Sequence, residues 1–222
     1  MPRELIREMR HGTLEAGVDE AGRGSLAGPV VAAAVIWDPN VDATGIRDSK
    51  KLSKKKRAEL KEYIVEHAIS YAVHFVDNVR IDEVNILQAT MDAMHGALDS
   101  LDVVPDYLLI DGPYFREYKD IPHVTVPNGD DTYVNIAAAS ILAKVTRDEY
   151  MFITSTDYVQ YGWDHNAGYG TAQHLAALKE HGVTPLHRLS FRPVADAAGT
   201  HEYVSKTIKY VDPKKMKWRS PN

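Results

Sequence analysis

Asp19-Glu20-Ala21-Gly22-Arg23-Gly24 stands where a short apolar run stops, and Val30-Val31-Ala32-Ala33-Ala34-Val35-Ile36-Trp37 begins six residues after Gly24. The order reads as a strand (Glu15 to Val18), a polar loop with three glycines (Gly22, Gly24, Gly28), and then a buried strand. Two acids at a strand end offer hard oxygen ligands to a divalent cation. Glycines on both sides of Arg23 let the backbone approach a ligand closely, with a cation between them. Acids for metal beside an arginine for phosphate or sugar are what phosphodiester cleavage needs. An exposed turn is the competing reading of these six residues taken alone.

Outward from this stretch the chain alternates between the two periods. Ser53 is a good cap for a charged helix to about His67, and Ile69 to Val76 alternates as a third strand. Asp82 to Leu101 reads as a long helix with Ile86, Leu87, Met91, Met94 and Leu98 on one face. Tyr107-Leu108-Leu109-Ile110 is apolar on both sides, so it suits a central strand, and Val124 to Val126 is a weak fifth. An alanine-rich helix runs from about Thr132 to Ile153, and another from about Thr171 to Glu180 stops before Gly182 and Pro185. That order implies an α/β layer structure. Residues 1–193 read as one domain, and 194–222 as a basic C-terminal appendage.

The composition narrows the class. No apolar run is long enough for a membrane helix, the N-terminus lacks an apolar signal core, and there are no cysteines, which suits a cytoplasmic protein. The net charge of −5 looks wrong for a nucleic-acid protein, but its distribution corrects that impression. Residues 47–57 carry +6 and residues 206–219 carry +5, which leaves −16 for the rest. An acidic body with two basic patches fits local phosphate binding, with carboxylates kept for other work. A plain solvated surface is the alternative for each patch.

Asp111 matches Asp19 in placement: an acid just past a buried strand and close to a glycine. If the first and fourth strands are parallel neighbours, the two converge at the strand ends where open α/β sheets build sites. Asp130 precedes the alanine-rich helix and reads either as its cap or as a metal ligand, with Asp131 free to cap instead. Ser140, Lys144 and Asp148 share one stripe of that helix, for which a solvated face is the simpler account. Glu20 poses a geometric problem, because consecutive strand residues face opposite ways. It shares a site with Asp19 only if the chain leaves regular β geometry there.

These residues, taken in order, resemble the bacterial-type ribonuclease HII family. The resemblance runs from about Glu15 to Pro193. It rests on Gly17 to Gly24, Ala27 to Val30, Asp48 to Ser53, Asn85-Ile86, Ile110 to Gly112, Gly129-Asp130, Ala138 to Asp148, Gly168 to Thr171 with His174, and His187-Arg188 with Ser190-Phe191. It implies an RNase H-like mixed β-sheet flanked by helices, with a helical C-terminal part. The implied activity is endonucleolytic hydrolysis of RNA in RNA–DNA hybrids, and cutting 5′ of single ribonucleotides in duplex DNA. The implied metal acids are Asp19, Glu20, Asp111 and Asp130, holding two Mn²⁺ or Mg²⁺ ions, with Asp19 best placed to bridge them. The implied substrate contacts are Gly22, Arg23, Gly24, Lys50, Ser53, Asn85, Ser140, Lys144 and Tyr169, with Gly22 to Gly24 and Tyr169 reading the junction 2′-hydroxyl.

Two positions depart from the family pattern: Asn128 and Ala167 stand where lysine is common. A monomer is expected, and no membrane partner. The basic tail suits an auxiliary duplex-binding arm or a handle for a replication partner. A DNA-junction nuclease would share the strand-end acids but would have no 2′-hydroxyl for Arg23 and Tyr169 to read. A hybrid-binding module without catalysis would not need four acids.

Overall fold

A computed structural model of the chain describes residues 4–199. The basic tail from residue 206 onward, and its expected roles, lie outside the described residues. Five strands form one sheet in the order β3-β2-β1-β4-β5. They are β1 (Glu15–Ala21), β2 (Val30–Ile36), β3 (Ser70–Val76), β4 (Tyr107–Asp111) and β5 (His123–Val126). β1, β2 and β3 pair antiparallel, whereas β4 and β5 run parallel to β1. The mixed sheet and its flanking helices are the fold expected from the sequence.

Strand alternation divides the core. Val30, Ala32, Ala34 and Ile36 face one layer with Ala16 and Val18, while Ala33, Val35 and Trp37 face the other. The first layer is closed by α2 (Asn78–Asp99), and the second by α1 (Lys54–His67) and α3 (Val134–Ser155). The run of alanines in α3 lets that helix lie close to the sheet. A smaller cluster around Trp163, Tyr161 and Leu178 joins α4 (Trp163–Asn166), α5 (Ala172–His181) and α6 (Arg192–Ala198) to the end of α3. Among the described residues, no helix is long and apolar enough to cross a membrane.

Near the site the elements depart from the sequence reading in β1, β4 and α2. β1 continues to Ala21, because its ladder with β2 runs on to Ala21 opposite Val31. Asp19 and Glu20 therefore lie within the strand, and Asp111 is the last residue of β4. α2 starts at Asn78, because Asp77 caps it by accepting from the Arg80 amide at 2.8 Å. It also bends at Asn85, whose φ of 70° is not helical.

Candidate active site

Register brings the acids together. β4 is parallel to β1 and ends its pairing at Val18 opposite Ile110, so the next residues, Asp19 and Asp111, are neighbours at the strand ends. By alternation both face the α3 layer. Asp130 follows β5 in a 3-10 turn (Gly129–Asp131). It does not cap α3, whose N-cap is Tyr133 with no side-chain cap bond. The expected break at Glu20 is absent. Instead, the β4 ladder ends one residue before Asp19, leaving that side of β1 open, and both acids reach the same cleft.

The cleft has a volume of about 250 Å³ and is walled by Asp19, Glu20, Gly22 to Gly24, Lys50, Asp111, Ser140, Lys144 and Tyr169. A cleft of similar size beside Glu117 to His123 comes from one continuous segment and gathers no distant residues. Burial raises the Asp19 carboxyl well above the usual range, and the charges of Glu20, Asp111 and Asp130 add to it. Glu20 and Asp130 are also raised, chiefly by burial, against the opposing pull of Arg23 and Lys50 respectively.

This donor set fits a hard divalent cation: four carboxylates, close enough that Glu20, Asp111 and Asp130 each disfavour the charge on Asp19. As placed, each acid has another partner. Asp19 accepts from the Glu20 amide at 2.6 Å and Asp111 from the Gly129 amide at 2.7 Å. Glu20 lies 3.4 Å from Arg23, and Asp130 lies 3.5 Å from Lys50. Among the described residues, no three acids or histidines stand close enough to enclose an ion. The four acids thus gather around one cleft, each facing a nearby cation or amide.

Behind the cleft the Tyr169 loop is held by a buried histidine pair. The Thr184 amide donates to His187 Nδ1 at 2.8 Å, so that nitrogen is bare and Nε2 carries the proton. His187 Nε2 donates to His174 Nε2 at 3.0 Å, and Trp163 Nε1 donates to the same atom at 3.2 Å. His174 must then carry its proton on Nδ1, which donates to the Tyr169 carbonyl at 3.0 Å. Each ring is neutral in one tautomer. Desolvation first, and then the neighbouring ring, pushes the His187 pKa down to about 3.

Of the residues expected at the site, Ser53 and Asn85 do not line the cleft. The Ser53 hydroxyl caps α1 by accepting from the Lys56 amide at 3.2 Å. The Asn85 side-chain oxygen accepts from the Leu87 and Gln88 amides. Asp130 lies beside the lining through Lys50. The Ser140-Lys144 stripe is not a solvated face: Ser140 is buried and bonds Ser49 Oγ at 2.8 Å, and Lys144 pairs with Asp148 at 2.7 Å. Ser49 is a lining residue that the sequence reading passed over, although it sits next to Lys50 in a quoted motif.

The ribonuclease HII family model matches residues 16–194. A ribonuclease HII of Bacteroides thetaiotaomicron is 50% identical over 192 residues, covering 86% of this chain and 96% of that protein. The crystal structure of ribonuclease H2 from Pyrococcus horikoshii superposes with a TM-score of 0.71 at 27% identity, over 84% of this chain and 97% of that one. The ribonuclease HII in the PCNA complex from Archaeoglobus fulgidus gives a TM-score of 0.66 at 27% identity, covering 82% of this chain and 96% of that one.

Proposed function

Because the chain belongs to the ribonuclease HII family, and is thus an endonucleolytic ribonuclease H acting on RNA–DNA hybrids, we propose that it also cuts 5′ of single ribonucleotides embedded in duplex DNA, as a step in their excision. The observation that supports this is one cleft in which strand-end acids face Gly22 to Gly24 and Tyr169. Asp19, Glu20, Asp111 and Asp130 would hold two Mn²⁺ or Mg²⁺ ions. When bound, such ions supply an activated water and neutralise charge on the leaving 3′-oxygen.

The chain's own residues do the selecting. A 2′-hydroxyl both donates and accepts hydrogen bonds, which is how a protein tells RNA from DNA. The Gly22 to Gly24 backbone can approach it, since a Cβ on Gly24 would meet nothing nearer than Tyr169 Cε1 at 4.0 Å. Tyr169 is 36% exposed and forms the facing wall, where its ring stacks on the next sugar. Arg23, Lys50 and Lys144 supply cations to the scissile strand, and Ser53 and Asn85 lie further out for backbone contacts. Every wall comes from one chain, so a monomer suffices. A replication partner held by the basic tail is a second reading of that segment, since an archaeal relative is solved with PCNA.

The test is a duplex carrying one ribonucleotide, incubated with Mg²⁺ or Mn²⁺, with the cut mapped to the nucleotide. One cut immediately 5′ of the ribonucleotide is expected. Cleavage of a continuous hybrid with no such cut would restrict the enzyme to hybrids. Asp19→Asn and Asp111→Asn should leave less than about a tenth of turnover, a barrier rise above roughly 1.4 kcal/mol, while hybrid binding persists.

A further inference from the structure

Two arginines, Arg147 on α3 and Arg188 beyond α5, are fully buried at 0% exposure, and the chemistry above uses neither. Among the described residues no carboxylate hydrogen-bonds to them; Asp148 and Asp82 act on them only at a distance. Their bonded donors go to loop carbonyls instead, and Arg188 Nη2 is buried without a hydrogen-bond partner among the described residues. Arg147 donates from Nε to Pro29 O at 2.9 Å, from Nη2 to Ala27 O at 3.1 Å and from Nη1 to Ala167 O at 2.9 Å. Arg188 donates from Nε to Gly28 O and from Nη1 to Arg23 O, both at 3.0 Å. Burial lowers the pKa of both, and for Arg188 the neighbouring Arg147 charge lowers it further.

Burying two like charges without an acid bonded to either is costly, and fold stability alone does not demand it. The arrangement does one specific thing. Arg147 touches both loops that carry the cleft walls: Ala27 and Pro29 in the loop after Gly24, and Ala167, two residues before Tyr169. Its guanidinium also lies 5.5 Å from the Tyr169 ring centroid. The two loops meet directly as well, through the Leu26 amide on Gly168 O at 2.8 Å and a bridge between Ser25 and Tyr169. Gly22, at φ +94°, folds onto Arg147 so closely that a Cβ would stand 1.9 Å from Nε. Carbonyls drawn inward onto a planar fork leave little freedom to the opposite face of the loop.

We propose that Arg147, seconded by Arg188, is a positioning residue for junction selectivity: it fixes the spacing between Gly22-Arg23-Gly24 and Tyr169. This rests on the reading that those residues recognise the junction. A long hybrid tolerates imprecise docking, but a lone ribonucleotide offers one junction, so a small shift in spacing costs it more.

The experiment compares kcat/KM on a duplex with one ribonucleotide and on a continuous hybrid. The variants are Tyr169→Ala, Arg147→Lys, their combination, and Gly168→Ala, each checked by thermal unfolding. Lysine keeps the charge but cannot span three carbonyls. Arg147→Lys should lower the ratio of the two kcat/KM values by about tenfold or more, and should not lower it further once Tyr169 is alanine. Gly168→Ala, whose Cβ would stand 2.7 Å from Ala27 O, the acceptor of Arg147 Nη2, parts the same loops with Arg147 itself unchanged, and should shift the ratio the same way even if Arg147→Lys does not fold. If Tyr169→Ala shifts the ratio and neither Arg147→Lys nor Gly168→Ala does, the positioning role is overturned and junction reading stands. If Tyr169→Ala lowers both substrates equally, junction reading itself fails, and this inference with it.

Discussion

Asp19 carries the site's main conflict between stability and chemistry. Its carboxyl is raised by burial first and then by three acidic neighbours, so the folded protein binds that proton more tightly than the unfolded chain does. That favours folding only at low pH. The contribution is lost as pH rises from about 3.8, the ordinary value, through the raised one. Ionising Asp19 among its acidic neighbours therefore costs the folded state, a cost that a bound cation would offset. Asp19→Asn keeps the oxygen that accepts from the Glu20 amide and removes the charge. It should raise the melting temperature of metal-free protein at pH 8 and reduce the stabilisation on adding Mn²⁺, expected for wild type at about 2.7 kcal/mol at a hundredfold excess over Kd. An equal Mn²⁺ shift in both proteins would remove Asp19 from the metal set.

His187 works in the opposite sense. Its folded pKa is about 3 against an ordinary 6.5, so its contribution is present above pH 6.5 and is lost as pH falls from there towards 3. Within that window the slope is at most about 1.4 kcal/mol per pH unit. Urea unfolding at pH 7 and pH 5 should show wild type losing part of its advantage over His187→Gln at the lower pH. An unchanged difference would mean that His187 is not held neutral by the fold.

At the scale of elements, α2 shows what periodicity hides. Its apolar face reads as one helix, yet Asn85 sits at φ 70° and ψ 163°, a region nearly restricted to glycine. The Asn85 oxygen restarts the helix by capping Leu87 and Gln88 at 2.9 and 3.2 Å. Asn85→Ala loses the cap and keeps the strain, so it should cost about 1–3 kcal/mol in urea unfolding. Asn85→Gly should cost less, since glycine accepts the backbone. Asn85→Asp keeps the capping oxygen and loses the amide donor. If that amide meets substrate, Asn85→Asp should weaken hybrid binding without loss of stability, and unaltered binding would leave Asn85 a structural residue.

For the whole molecule, charge is unevenly spread: an acidic body, a basic segment at 47–57 beside the cleft, and another at 206–219. Phosphate contacts add affinity without sequence information and release counterions. Removing residues 200–222 should weaken substrate binding with the cut position unchanged. If three phosphate contacts go with them, the log–log salt slope falls by about 2.7. A full slope and affinity after truncation would assign the tail to a protein partner or to plain solvation.

The sequence alone determined the layers, the fourth strand that runs up to Asp111 and the cap at Ser53, because period and capping chemistry are local properties. Tertiary structure decided what depends on non-local pairing. Parallel register between β1 and β4 set Asp19 beside Asp111, and the early end of that ladder let Glu20 share the cleft without a break in β1. Ser140 and Lys144 became cleft walls because the polar stripe of α3 faces residues 49 and 50, far away in sequence. Arg147 could be read from sequence only as one more charge on a helix. The loops that supply its carbonyls lie about 20 and 120 residues away, so its role exists only once the chain has closed on itself.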